Sequence, residues 1–424
     1  MPVFAVAGMG AQVQVDDLLL EPRLRLVDSP AAANVLLIAG AVPPHLSTQL
    51  AQLHDASSRP RVPLWWSLGS SLVPPIPPMV QVHEVGPSGL VDAVVHTHRA
   101  LLLGELPSSP PVLPDEDPAP WRGVGPFGQG GTGMTGGVPY GRPMAEVAPD
   151  RDGLRLDQLT VRIGPFFARF PTGLVLAARL QGDVIQQAEV IAAPEGEPAV
   201  EIDVRTPFRQ ALHAPVPVSV LELERARSHL RSIASALVAH QLSSLARRVL
   251  RFANQAHPDQ AEDVEQLRRL LRRSQVLGWA TRGVGTIPAA QLEGTATGPV
   301  ARASGVEQDE RAADPAYLGL GFEPVIHDGG DARSRIAQRL NEADQALKLA
   351  GRARDRYHDP EAPLESPRGR LAVGDLPAQR LLPLLPAVLE GMEWGDAVST
   401  VVSLDLDTDE VLALRSPDRE LPVP

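Results

Sequence analysis

A short apolar run, Val3–Ala7, ends at Gly8-Met9-Gly10, and a strand followed by close-set glycines is the start of a dinucleotide-binding fingerprint. The glycines there allow a tight turn and a close approach of the backbone to pyrophosphate. Gly8 and Gly10 fit this pattern, Val13 stands at the third glycine position, and Asp28 lies about where a ribose-binding acid would fall. Val13-Gln14-Val15 reads poorly as a helix start, so nucleotide binding is the weaker alternative. A full GxGxxG at Gly128, Gly130 and Gly133 has no strand before it and Pro139 and Pro143 after it, which marks a chance occurrence in a glycine-rich stretch. His96 and His98 point in different directions on an expected helix. His229 and His240 are three turns apart, too far for one ion. Asp405, Asp407 and Asp409 begin like a calcium loop, but Glu410 replaces the turn glycine and Ser416 the closing glutamate. Their alternation with Val402, Leu404 and Leu406 predicts a half-exposed strand instead. Neither a nucleophile elbow nor a phosphate-loop lysine is present.

Composition narrows the chemistry further. The chain of 424 residues has no Cys, which excludes disulfides, thiol nucleophiles and thiolate ligands for zinc, iron–sulfur or nickel–iron centres. A net charge of −12 argues against a nucleic-acid partner, because phosphate binding needs a basic face. No apolar run is long enough to span a bilayer, and Met1–Ala5 lacks the basic start of a signal peptide, so a cytoplasmic protein is expected.

Strands are expected at Val3–Ala7, Asn34–Ala39, Leu64–Leu68 and Val80–Glu84, with helices at Leu46–His54 and Gly89–Leu103. This alternation over short turns implies a parallel sheet with helices on its faces. Residues 105–157 are rich in Pro and Gly and lack a hydrophobic period, which predicts a linker between an α/β region at 1–104 and a second region at 158–424. The second is read as α+β and mainly helical. It opens with a hairpin turning at Gly182-Asp183, followed by one long helix over Val216–Phe252 and others at Ala261–Ser274, Arg333–Tyr357 and Leu381–Trp394.

Taken in order, several segments carry a resemblance. Gly8–Val15, Arg25–Pro30, Asn34–Gly40 and Trp65–Ser71 resemble the small subunit of nickel–iron hydrogenases and the terminal-cluster subunit of respiratory complex I. Gly164-Pro165 through Leu174, Leu221–Arg225 with Ser228–Leu230, Gly298–Gly305, Glu365–Gly369 and Ala397–Val411 resemble the large hydrogenase subunit, whose complex I relative forms much of the quinone cavity. The chain thus resembles a fusion of the two. In that family cysteines of the small subunit hold a four-iron cluster; the resemblance places those positions at Gly8, Ala11 and Ser71, with a fourth around Val85–Pro87. The cysteine pairs of the nickel–iron centre are likewise missing. Phe167 and Thr172 fall on the loop that bears a quinone-facing histidine in complex I relatives, and the segment carrying their tyrosine is largely deleted between Ile191 and Phe208.

These departures imply a redox-inactive subunit, a pseudoenzyme without cofactors. It would dock or couple in a complex I-like or membrane-bound-hydrogenase-like assembly. Its expected partners are antiporter-like membrane subunits and other complex I-like subunits, which would hold it peripherally on the inner face of the cell membrane. Glu222–Arg225 and Arg368 would be structural charges, with Phe166, Phe167 and Phe170 filling a former active site. The alternative is an oxidoreductase subunit of the NADH-quinone oxidoreductase family that uses quinone or NAD without its own cluster.

Overall fold

The computed structural model describes residues 1–68, 76, 80–83, 86–115, 147–149, 153–191, 206–258 and 261–413. Ser71, Val85, the glycines 128, 130 and 133, and the stretch 192–205 lie outside the described residues.

The first region is built on β1 (Pro2–Ala7), α1 (Gln12–Asp17), β2 (Arg25–Leu26), β3 (Val35–Ala39), α2 (Ser47–Asp55), β4 (Val62–Ser67), β5 (Val80–His83) and α3 (Pro87–Leu102). The five strands form a parallel sheet in the order β2-β1-β3-β4-β5, one of the common doubly wound arrangements. Strands of such a sheet are continuously apolar because helices cover both faces. Val3, Leu37, Leu64 and Trp66 pack on Leu90, Val91 and Val94 of α3. The alternate residues Phe4, Leu36, Ile38 and Trp65 pack on Leu50 and Ala51 of α2. The helix α1 corrects the expectation for Val13-Gln14-Val15. Its alternating pattern disguises one and a half turns that bury only Val15.

Part of the stretch expected to be a linker is ordered against this region. The Asp55 carboxylate accepts N–H bonds from Val112 and Leu113, and His54 Nε2 lies 2.9 Å from Ser109 Oγ. Strands β6 (Val147–Pro149), β7 (Arg155–Ile163), β8 (Val175–Gln181) and β9 (Val184–Ile191) then form an antiparallel sheet, with the hairpin turn at Gly182 as expected.

The remainder is mainly helical: α4 (Pro207–Ala211), the short β10 (Val216–Pro217), α5 (Val218–Ala239), α6 (Ser243–Gln255), α7 (Ala261–Arg273), α8 (Gln275–Thr281), α9 (Gly298–Arg302) and α10 (Ala332–Arg352). Strands β11 (Tyr357–His358), β12 (Leu364–Ser366) and β13 (Gly369–Leu371) precede α11 (Pro377–Leu381), α12 (Leu385–Leu389), α13 (Trp394–Leu404) and α14 (Thr408–Ala413). The expected helix over Val216–Phe252 is two helices. Its apolar period runs through the break, but Gln241 adopts φ 60° and turns the chain. Helices α5, α6 and α10 share a core of Leu230, Leu237, Val249, Leu250, Leu340 and Leu347. Asp331 caps α10 by accepting the Ser334 N–H at 2.7 Å, satisfying one of the orphan donors at a helix start.

The triplet Asp405, Asp407 and Asp409 lies on no strand. Asp405, at φ 58°, terminates α13, and Asp407 accepts the N–H groups of Asp409 and Glu410 at the start of α14. The period-2 pattern comes from two helix ends meeting, each with its buried leucine, Leu404 and Leu406.

Candidate functional site at the junction of the two regions

Each region sends one turn to the junction. From the first comes the turn after β1. Gly8 N–H donates to Ala39 O at 2.7 Å, and Met9 N–H to Ala41 O at 2.7 Å. This presses the turn onto the end of β3 so closely that a Cβ on Gly8 would lie 2.4 Å from Ala41 O, nearer than nonbonded atoms approach. Ala11 is fully buried beside it. Gly10, at φ +72°, aims its N–H at Asp409 Oδ1, 2.8 Å away. The place where a nucleotide fingerprint would put phosphate therefore holds a carboxylate of the same chain. Asp28, the ribose-acid candidate, is bound by Arg169 at 2.5 Å.

From the second region comes the loop between β7 and β8. Phe167 stacks edge-on against Phe170 at 4.8 Å and Trp394 at 5.7 Å, while Thr172 is buried. Both expected loop positions, Phe167 and Thr172, face a cavity of about 1380 Å³ whose wall also includes Gly10, Asp16, Glu224, Arg231, Arg368 and Asp409. Phe166, Phe167 and Phe170 all line this cavity. Phe170 and Phe167 turn toward the core around Trp394, and open space remains beside them.

The cavity wall is rich in acids. Arg231 is held by Asp17 at 2.8 Å, Arg169 by Asp28, and Arg368 by Asp407 at 2.8 Å. Burial pushes the Asp16 carboxyl up to about 7, against a hydrogen bond from Gln12 and the charge of Arg231. Burial and then repulsion by Asp407 push Asp409 up to about 6, although the Gly10 N–H opposes this. Glu224 is also raised by burial. Asp16 and Asp409 can therefore exchange protons at or just below neutral pH. The described residues contain no group of three or more side chains suited to a metal.

Behind the wall lies a fully buried ion network. Arg302 meets Glu342 at 2.8 Å, Glu365 at 2.7 Å and Asp309 at 3.0 Å. Arg311 bridges Asp309 at 2.7 Å and Glu222 at 3.3 Å; Glu222 also accepts from Arg225 at 3.1 Å and from the Tyr317 hydroxyl at 2.6 Å. Burial alone would neutralise these acids. For Asp309, Arg302 and Arg311 override it and bring the carboxyl down to about 2; Arg302 also holds Glu342 well below the usual range. Glu365 goes the other way, to about 7, through burial and the neighbouring Asp309. His229, buried with Nε2 at 3.1 Å from Glu342 Oε2, has its pKa lowered by burial. His240 instead reaches Ser399 Oγ at 3.1 Å.

The structure thus brings Gly8, Ala11, Phe167 and Thr172 to one junction. The Glu222–Arg225 pair is the nearer end of a network that sequence reading missed, because Arg302, Arg311, Glu342 and Glu365 are far apart along the chain. One signal was available. Arg335, Arg339 and Glu342 fall on the same face of α10 as the buried Ala332, Ala343 and Ala346, where an amphipathic helix should be apolar.

Comparison with known proteins places part of the chain. Residues 239–375 match the family described as the 49 kDa subunit of respiratory-chain NADH dehydrogenase. A D-type NADH-quinone oxidoreductase subunit of Salinispora tropica is 37% identical over 103 residues, covering 24% of this chain and 26% of that protein. Its D-type counterpart in Syntrophobacter fumaroxidans is 30% identical over 177 residues, 34% of this chain and 48% of that one. The matches therefore span from about a quarter to about half of these relatives' length. A chain from a structure of the membrane-bound sulfane sulfur reductase, an archaeal respiratory membrane complex, aligns with a TM-score of 0.46 at 19% identity, covering 60% of this chain and 98% of its own. Within the helical region, residues 239–375 are thus similar to the 49 kDa subunit family.

Proposed function

We propose that the chain is a redox-inactive member of the complex I-like family, in which a small-subunit-like region and a large-subunit-like region are carried on one polypeptide. Its role is to dock or couple within a membrane complex, beside antiporter-like membrane subunits and other complex I-like subunits. The observation that carries this reading is the closed turn at Gly8. A cluster ligand there needs a side chain, and the space for its first carbon is taken by Ala41 O, 2.4 Å away. Ala11, packed against the same turn, has only a methyl group, and the chain has no Cys to supply a thiolate. The residues do not fit a cluster. Nor do Phe167 and Thr172 fit proton delivery to a quinone, since neither side chain exchanges protons near neutral pH.

What remains is a scaffold: the polar junction, the ion network and the parallel sheet. A fold and its interfaces can persist after the chemistry of a site is lost. None of the described helices is long and apolar enough to cross a membrane, so in this reading partner subunits supply the membrane-spanning part of the complex. The test is to purify the full chain from iron-replete cells, with and without detergent-solubilised membranes. The expected result is no stoichiometric iron or acid-labile sulfide, and co-purification of integral membrane subunits. A visible iron–sulfur absorption band with matching iron and sulfide would overturn the redox-inactive reading. Purification from membranes without any integral subunit would overturn the docking role.

A further inference from the structure

Helices α7 and α8 bear an exposed stripe that neither the junction nor the ion network uses. From Ala261 to Gly283 the sequence has five arginines and three acids, Glu262, Asp263 and Glu265, with the arginines all following the acids, in a chain of net charge −12. Leu267 and Leu277 are buried in the same core, so both helices turn one side inward. Ser274, at φ −77° and ψ 79°, breaks the helical path between α7 and α8, so the two helices share a buried side through Leu267 and Leu277 rather than one continuous axis. The exposed side chains are Arg269, Arg272 and Arg273 on α7, Val276 and Trp279 on α8, and Arg282 just beyond it. Trp279 is 82% exposed and Val276 59% exposed. Glu265 is spent on Arg268 at 2.8 Å and Arg269 at 3.6 Å.

We infer that this stripe is a docking surface for an anionic lipid bilayer. Guanidinium groups bind phosphate oxygens in pairs, and a tryptophan among them is matched to the boundary between headgroup and acyl chain. An acidic protein surface would satisfy the arginines, but it would leave the most exposed large apolar side chain of the described residues facing charge. A bilayer accepts both. The contact is direct, and it stands whether or not the proposed partner subunits exist.

Vesicle sedimentation with the purified full chain tests this. Phosphatidylcholine vesicles containing phosphatidylglycerol should pull down the protein at low salt, and pure phosphatidylcholine vesicles should not. Arg272→Ser with Arg273→Ser should weaken binding by roughly fivefold per arginine removed, and added salt should release the wild type. Emission attributable to Trp279, taken as the difference between the wild type and Trp279→Phe, should shift to shorter wavelength when the anionic vesicles are added. Equal binding to both vesicle types, undiminished binding by the arginine variant, or retention on polyglutamate without vesicle binding would each overturn the proposal. So would an unchanged Trp279 emission, a readout that needs no folded arginine variant.

Discussion

The sheet region and the helical region both have apolar cores, but only the helical region buries a charged network beside its own. Around β1, β3 and β4 the interior is aliphatic and aromatic on both faces of the sheet. Between α5, α9 and α10 it holds Glu222, Arg225, Arg302, Asp309, Arg311, Glu342 and Glu365, all nearly or fully out of water. An apolar core loses stability in proportion to the volume removed. A buried ion network tolerates no partial removal, because the partners left behind keep a charge they cannot solvate.

The largest expected effect tests that contrast directly. Arg302→Met leaves Glu342, Asp309 and Glu365 without their shared cation and should cost about 3–5 kcal/mol, read from the denaturant midpoint at neutral pH. The loss should shrink in acid, as the orphaned carboxyls take up protons. Leu37→Ala, in the fully buried middle of the sheet, should cost about 3 kcal/mol and the same amount at every pH. If the two variants share one pH profile, the contrast between the regions is wrong.

A smaller effect belongs to the junction. Asp16, near 7 when folded, retains a proton that the unfolded chain releases near 3.8. Its contribution to stability is present below that lower value and is lost as the pH rises through about 7. Asp409, near 6, and Glu410, near 7, act in the same direction. Asp309 and Glu342 act oppositely, stabilising above the ordinary carboxylate range and losing their contribution as the pH falls toward 2. The lowered pKa of buried His229 opposes this trend below 6.5, so the junction is read as a difference: from about pH 4 to about pH 7 the thermal midpoint of the wild type should fall relative to that of Asp16→Asn. An unaltered slope in that variant would remove the junction from the account. The smallest change is expected for Asp28→Asn, which breaks an exposed pair with Arg169 and should cost under about 1 kcal/mol, less in high salt.

The contrast also explains what could be read in the sequence. The runs Val3–Ala7 and Val35–Ala39 announce buried strands by apolarity alone, and their alternation with helices announces a parallel sheet. The break at Gln241 was hidden because a turn of two or three residues hardly disturbs a leucine period. At 402–409, period-2 alternation imitated a strand where Asp405 ends one helix and Asp407 starts another. Resemblance directed attention to Gly8, Ala11, Phe167 and Thr172, but no signal in the sequence announced the cavity and its acids. Pairs such as Arg302 with Glu365, or Gly10 with Asp409, are set by tertiary packing, and neither partner's local sequence names the other.

The bond from Gly10 to Asp409 and that between Gln12 and Thr408 join positions 399 and 396 residues apart. A ribosome needs on the order of tens of seconds to make the intervening chain. During that interval the sheet region can already be folded while the surface that will meet Asp409 stands open to solvent. An apolar docking face left uncovered for so long would recruit other nascent chains. The face that waits here sets Gln12, Asp16, Asp17 and Asp28 beside the apolar Met9, Leu19 and Leu20, and water and like-charge repulsion at the acids oppose its association. The polarity of the junction, costly in the finished protein, protects the half-made one.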